Sequence, residues 1–331
     1  MSSVLVVSRA DDAHLPPVIE AIRRRNKGVV VLELTSIPRG IPVTVGHDEL
    51  GSWGARMALP RGGHLRNADI AGVWWRRPGP CGAPETTPPE DRAFVATQVA
   101  EAMTGFWSTL TATWVNDPWN DQRASHKPPQ LQIAARIGLE VPRTLIPTRG
   151  SEIRDFLSRF AAHRIVIKLL AADAEHGSPT RFVTAVQEDR LPEGPVSPVI
   201  LQVYVPGIDV RVTVVGNQVF AASIDARKTS SPEDFRPVYS KCRVAVHTLA
   251  DREKRMILEM TRTLGLAYAA FDFRRTDDGR LVFLEVNPAG QWLFVERRTR
   301  QPIADALGAL LCTASDRVGS EGGRPFARRA A

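Results

Sequence analysis

Apolar positions recur along the chain with two periods, and the alternation between them outlines the elements. A short apolar run within residues 1–8, Val4-Leu-Val-Val7, reads as a buried strand, 16–25 as a helix and 29–34 as a second strand. That order predicts an α/β opening domain. Residues 41–45, 53–59 and 70–76 add strands, and 90–110 places Phe94, Val95, Val99, Met103 and Phe106 at helical spacing. Trp114-Val-Asn-Asp-Pro118 reads as a strand running into a turn and marks a domain boundary at 118.

Beyond it the pattern predicts a helix over 123–137 stopped by Gly138, a strand over 141–146, a helix over 151–162 and a strand over 164–170 carrying Lys168. A loop over 171–180 contains Gly177-Ser-Pro179. Strands follow at 181–186, 199–205, 210–215 and 218–224, the last two joined by Gly216-Asn217. A helix over 252–264 ends at Gly265, 268–287 reads as a hairpin, and 299–311 as a last helix with Ile303, Ala306, Leu307 and Leu310. The Gly/Arg-rich stretch 315–331 is expected to be disordered.

Composition narrows the function classes. The 331 residues suffice for two or three domains, and the hydrophobic and charged fractions are those of a soluble globular protein. No apolar run reaches a membrane span and the start lacks a signal-peptide pattern, so a cytoplasmic protein without a membrane partner is expected. Cys81, Cys242 and Cys312 have no CxxC spacing, which speaks against a disulfide framework or a zinc site. The net charge is +7, but the basic residues are spread out, which disfavours nucleic acid and fits an acidic peptide equally well. Of 43 Lys and Arg only six are lysine (Lys27, Lys127, Lys168, Lys228, Lys241 and Lys254), so a lysine in a core-like setting stands out. Arg76-Arg77, at a strand end, fits an anionic partner or a plain rim position.

The hairpin carries the chemistry. If Asp278-Gly279 forms a two-residue turn, residues whose numbers sum to 557 face each other, and Asp272 lies opposite Glu285 with Asn287 on the same face. Opposed side chains have Cβ atoms roughly 4.5–5.5 Å apart, and two like charges so placed repel. Something cationic belongs there. Three oxygen-bearing side chains suit a hard divalent ion such as Mg2+; a solvated polar face of an edge hairpin fits the spacing as well.

In chain order Lys127, Lys168, the 171–180 loop, Gln202-Val-Tyr-Val205-Pro-Gly207-Ile-Asp209, Asp272, Glu285 and Asn287 resemble the nucleotide site of the ATP-grasp superfamily of carboxylate-activating ligases. The resemblance implies an α/β (α+β) ATP-grasp fold: an N-terminal pre-ATP-grasp domain over 1–118, a central subdomain over 119–198 and a C-terminal subdomain over 199–314. It implies ATP and Mg2+ as cofactors, with Lys127 and Lys168 on the phosphates. Gln202 opens a hinge whose Val203 and Val205 main chain meets adenine, and Asp209, seven residues on, takes the ribose. Asp272, Glu285 and Asn287 become the metal ligands. Arg236, in Asp234-Phe-Arg236, matches an arginine that contacts the transferring phosphate in ligases that add glutamate to proteins, against a plain surface loop. Arg211 would hold an acyl phosphate or a peptide carboxylate, or form a structural ion pair.

A narrower resemblance rests on Phe283-Leu-Glu-Val-Asn-Pro-Ala-Gly-Gln-Trp292-Leu-Phe-Val-Glu296, with Val73-Trp-Trp-Arg-Arg-Pro78, Asn116-Asp-Pro118 and Lys127…Gln130-Leu-Gln-Ile-Ala134 earlier in the chain. These are similar to the graspetide (microviridin-type) ribosomal peptide maturases. That implies a homodimer acting on a precursor peptide with a leader and a Thr/Ser- and Glu/Asp-rich core, closing ω-ester or ω-amide rings. The alternatives are another ATP-grasp ligase that adds an amino acid to a protein or small acid, and a catalytically idle nucleotide- or peptide-binding module.

Overall fold

The computed structural model describes residues 2–47, 53–59, 62–170, 181–183 and 192–313. The 171–180 loop, the end of the 181–186 strand and the 315–331 tail lie outside the described residues. The chain divides into two compact units, Met1–Val115 with Leu307–Ala331, and Asn116–Ala306.

In the first unit β1 (Ser3–Ser8), β2 (Gly28–Leu32), β6 (Ile70–Arg77) and β7 (Thr113–Val115) form a parallel sheet in the order β2-β1-β6-β7. Helix α1 (Leu15–Arg23) begins with Pro16 and Pro17, tolerated in a first turn whose N–H groups have no helical partner, and buries Val18, Ala21 and Ile22. A small antiparallel sheet joins β3 (Val43–His47), β4 (Trp53–Ala58) and β5 (His64–Arg66), the last too short to show a period in the sequence. Helix α2 (Arg92–Ser108) buries only Met103, Phe106 and Trp107, while Phe94 is 66 % exposed. The apolar row is thus used from Val99, which packs partly buried against the core, onward. Neither reading of Arg76-Arg77 holds for Arg76: it is buried, with its Nε 3.1 Å from Asp12, whose other oxygen lies 2.7 Å from His14 Nδ1. A guanidinium without water requires such a counter-charge.

In the second unit β12 (Ile208–Val215), β13 (Gln218–Asp225), β14 (Arg243–Val246), β15 (Tyr268–Arg275) and β16 (Leu281–Asn287) form an antiparallel sheet ordered β14-β13-β12-β15-β16. A second sheet, ordered β10-β9-β11-β8, contains β8 (Thr144–Leu145), β9 (Ile165–Lys168), β10 (Arg181–Phe182) and β11 (Ile200–Val203). Helices α3 (Pro118–Ala124), α4 (Lys127–Ile137), α5 (Gly150–Arg159), α6 (Asp251–Thr263) and α7 (Leu293–Thr299) belong here, and α8 (Ile303–Cys312) runs from this unit into the first. One face of the larger sheet, with Val210, Val212, Phe271, Phe273, Phe283 and Val286, packs with Ala134, Ile257 and Met260 into the main core. Alternation along β12 and β15 turns Asp209, Arg211, Asp272 and Arg274 to the other face.

One helix predicted as continuous is divided. The 123–137 pattern breaks at Ser125-His126 because Pro128 and Pro129 cannot lie in a helix interior; they occupy the first turn of α4, which Lys127 opens. The last helix, expected from 299, starts instead at Ile303: Arg300, at φ +59°, and Pro302 separate it from α7, which the apolar pattern did not predict. Gly207, just before β12, has φ +148° and passes so close to β15 that a Cβ would lie 2.2 Å from the Arg275 carbonyl oxygen. Gly207→Ala is therefore expected to cost about 3 kcal/mol of stability, read as a lowered urea midpoint at unchanged slope.

Candidate active site

The hairpin delivers the expected pairing by a different route. Thr276 N–H donates to Arg280 O and Gly279, at φ +88°, donates to Thr276 O, so the loop has three residues with glycine in the left-handed position. That shifts the register by one: Phe273 faces Phe283, not Leu284. A bulge then leaves Leu284 unpaired and restores Asp272 opposite Glu285 and Ala270 opposite Asn287. Without the bulge Glu285 would share the core-facing parity of Phe283; with it, the carboxylate reaches the polar face.

The two carboxylates are neutralised by cations. Lys127 Nζ lies 2.7 Å from Glu285 Oε2, and Arg211 Nε lies 2.7 Å from Asp272 Oδ1. Arg211 is also the register partner of Asp272, so the structural ion pair weighed for it is present. Burial pushes the Asp272 carboxyl up, with Glu285 acting in the same direction against Arg211. Burial also acts to raise Glu285, but Lys127, Lys168 and Arg211 overcome it and hold this carboxyl at about 2. Asn287 is exposed and its Oδ1 accepts from Ala289 N–H at 3.0 Å.

Lys168, at the end of β9, donates to Gln202 Oε1 at 2.8 Å, and Gln202 Nε2 donates to Thr144 Oγ1 at 3.0 Å. Gln202 is buried and therefore serves to hold the lysine. Burial lowers the Lys168 ammonium, opposed by Glu285. The Val203 N–H is spent on Arg143 O at 2.9 Å, and Val205 is half-buried just past the strand.

Asp209 faces its register partner Arg274, with Oδ1 3.3 Å from Nε, while Oδ2 is buried without a hydrogen-bond donor. Burial, reinforced by Asp272 and Asp234 and opposed by Arg274 and Lys168, pushes its carboxyl up from 3.8 to about 7. Because the folded value lies above the unfolded one, folding takes up a proton between the two. The contribution to stability is most favourable below about pH 4 and is lost as pH rises through about 7. Asp209→Asn should therefore flatten the fall in melting temperature between pH 5 and pH 8 in ligand-free protein; a fall as steep as in the unaltered protein would contradict this assignment.

Arg236 opens a 3-10 turn (Arg236–Lys241), where buried Asp234 grips it through two bonds of 2.7 and 2.6 Å. The guanidinium is half exposed and feels both Glu285 and Asp272. The Gly290–Trp292 stretch braces Arg211: Nη1 donates to Gln291 O at 3.0 Å, and the guanidinium sits 5.4 Å from the Phe294 ring. Trp292 itself is fully buried.

Three further residues hold the site, and sequence reasoning assigned them no role. Gln130, one helical turn after Lys127, donates to Val286 O at 2.8 Å and accepts from Val286 N–H at 3.1 Å. Its amide thus acts as a peptide group on the open edge of β16, between Glu285 and Asn287. Asn116 likewise accepts from Ala267 and Tyr268 N–H, both at 2.8 Å, and donates to Tyr268 O and Pro288 O, both at 2.9 Å. Both lay within quoted motifs, and a polar residue among apolar helical positions was the available signal for Gln130. Arg274 is the third.

Among the described residues no three His, Cys, Asp or Glu gather to hold an ion. An ion at this face would rest on two carboxylates and an amide oxygen, an all-oxygen set suited to a hard cation that keeps waters and shares phosphate oxygens. The unsatisfied Asp209 oxygen fits a hydroxyl donor.

Residues 124–311 match the RimK-like ATP-grasp domain. The chain is 30 % identical over 192 residues to a probable alpha-L-glutamate ligase of Klebsiella pneumoniae (strain 342), a match that takes in 56 % of this chain and 62 % of that protein. It thus spans less than two thirds of the length of that curated relative. The macrocyclase MdnC of Microcystis aeruginosa MRC, solved with the precursor peptide MdnA, superposes with TM-score 0.80 at 26 % identity, over 94 % of this chain and 99 % of that one. A RiPP-associated ATP-grasp ligase of Chryseobacterium gregarium, in complex with ADP and a leader and core peptide, gives TM-score 0.82 over 94 % and 97 %. At 23 % identity that second likeness is one of fold.

Proposed function

Since the chain belongs to the RimK-like ATP-grasp family, we propose that it is an ATP-dependent ligase acting on a ribosomal precursor peptide. It phosphorylates Asp or Glu side-chain carboxylates and closes ω-ester rings with Ser/Thr or ω-amide rings with Lys. The observation that carries the peptide-cyclising reading is the likeness to MdnC over nearly the whole of both chains. The glutamate-ligase match covers only part of its relative.

In this reading a carboxylate oxygen of the peptide attacks the γ-phosphorus of ATP, ADP leaves, and the acyl phosphate is attacked by a hydroxyl or amine. The single bond from the carbonyl carbon to the bridging oxygen breaks, inorganic phosphate leaves with that oxygen, and the nucleophile's proton passes to solvent. The protein's part is positioning and charge. Lys127 and Lys168 hold phosphate oxygens as mobile point charges. Asp209 takes the ribose hydroxyls through its unsatisfied oxygen, and the Val203 carbonyl, its N–H being held by Arg143 O, and the Val205 main chain meet the base. Asp272, Glu285 and Asn287 would hold Mg2+, which when bound neutralises charge on the phosphates. Arg236, half exposed beside these carboxylates, and Arg211 face the group being transferred.

The second reading, addition of an amino acid to a protein or small acid, is favoured by the 30 % identity to the glutamate ligase. ADP release separates the two. Stimulation by a Glu/Asp- and Ser/Thr-rich precursor peptide, with none by free glutamate, is expected; stimulation by free glutamate alone would favour the second reading.

A further inference from the structure

Arg274 is buried, yet its guanidinium does more than balance Asp209. Nη1 donates to Gly207 O at 3.0 Å, and Nη2 donates to Pro232 O at 2.9 Å and Glu233 O at 3.0 Å. One planar fork therefore joins the hinge before β12 to the segment that leads directly into Asp234. Asp234 is buried in turn and fixes Arg236 through two bonds. The chain of contacts runs from the nucleotide side, at Gly207 and Asp209, through Arg274 and residues 232–234, to the half-exposed Arg236 guanidinium, whose charge is felt by Asp272 and Glu285.

Resting on the ATP-site reading above, we infer that Arg274 is a positioning residue that sets where Arg236 stands relative to the bound nucleotide, and through it the hold on the terminal phosphate. The chemistry requires arginine. A lysine keeps the charge beside Asp209, but a single ammonium cannot span carbonyls on two separate segments in the geometry of a fork. Lys at 274 should leave the nucleoside end of the site in place and release the Arg236 loop.

The test needs no peptide and compares Mg-bound ADP with the non-hydrolysable analogue AMPPNP by calorimetry. The unaltered protein should bind AMPPNP about tenfold more tightly than ADP, the effect of one charge-assisted contact to the terminal phosphate. Arg274→Lys should bring that ratio to within threefold of unity while the Kd for ADP changes less than threefold. Arg236→Ala should do the same, and the double variant should lose no more than either alone. Asp234→Asn, which breaks the later link and leaves the hinge untouched, is expected to match Arg274→Lys should the latter fold poorly. A full AMPPNP preference in a folded Arg274→Lys or Asp234→Asn protein, or losses that add in the double variant, would overturn the inference. So would equal affinities in the unaltered protein. Failure of that protein to bind ADP at all would instead remove the ATP-site reading on which the inference rests.

Discussion

Glu285→Gln is expected to lower peptide-dependent ADP formation on the order of a thousandfold while the protein stays folded. The carboxylate is ionised across the physiological range because Lys127, Lys168 and Arg211 outweigh the effect of burial and hold it near 2. It faces Asp272 across the strand pair, so the two present adjacent negative charge to a cation. Glutamine keeps the volume and one oxygen but removes half of that charge, and with Mg2+ held as proposed the interaction lost would be with the metal-bound phosphates. Stability should shift by only about 1 kcal/mol, since relief of repulsion with Asp272 offsets the loss of the Lys127 pair. Steady-state ADP release with a thermal melt checks both parts, and full turnover in a folded variant would remove the metal assignment.

Lys168→Met should lower kcat/KM for ATP by about a hundredfold. The methionine retains the apolar stem, and its loss of charge is tolerated because burial already disfavours the ammonium. The oxygen of Gln202 loses its donor, which costs about 1 kcal/mol. The larger consequence is the absence of a point charge that can follow a moving phosphate. Kinetics over a range of ATP concentrations, with the Kd measured separately, divides the loss between binding and transfer; an unchanged kcat/KM would exclude Lys168 from the phosphate site.

Much of this site was legible in the residues, though partly through compensating errors. Asp278-Gly279 announces a glycine at positive φ, but a two-residue turn and a three-residue turn with a bulge both place glycine there. The loop took the second form, and the unpaired Leu284 shifted the register back, so Asp272 still meets Glu285. The two lysines stood out by scarcity; the structure pairs Lys127 with Glu285 at 2.7 Å, and the charge of Lys168, bonded to Gln202, also lowers the Glu285 carboxyl. Gln130, Asn116 and Arg274 could not be assigned in this way. Their partners are backbone groups from distant stretches: Val286 lies 156 residues from Gln130, and Tyr268 lies 152 from Asn116. Hydrophobic period reports which face is buried, but not which main-chain group a buried amide will meet. The division of 123–137 was visible in Pro128-Pro129, yet the apolar spacing around them masked it.

The claim that this face activates a peptide carboxylate for ring closure is tested most directly by intact-mass measurement during turnover. With Mg-ATP and its precursor peptide, the protein should remove one water from the peptide for each ADP formed. A peptide of unchanged mass, with ADP formation sustained instead by free glutamate, would contradict it.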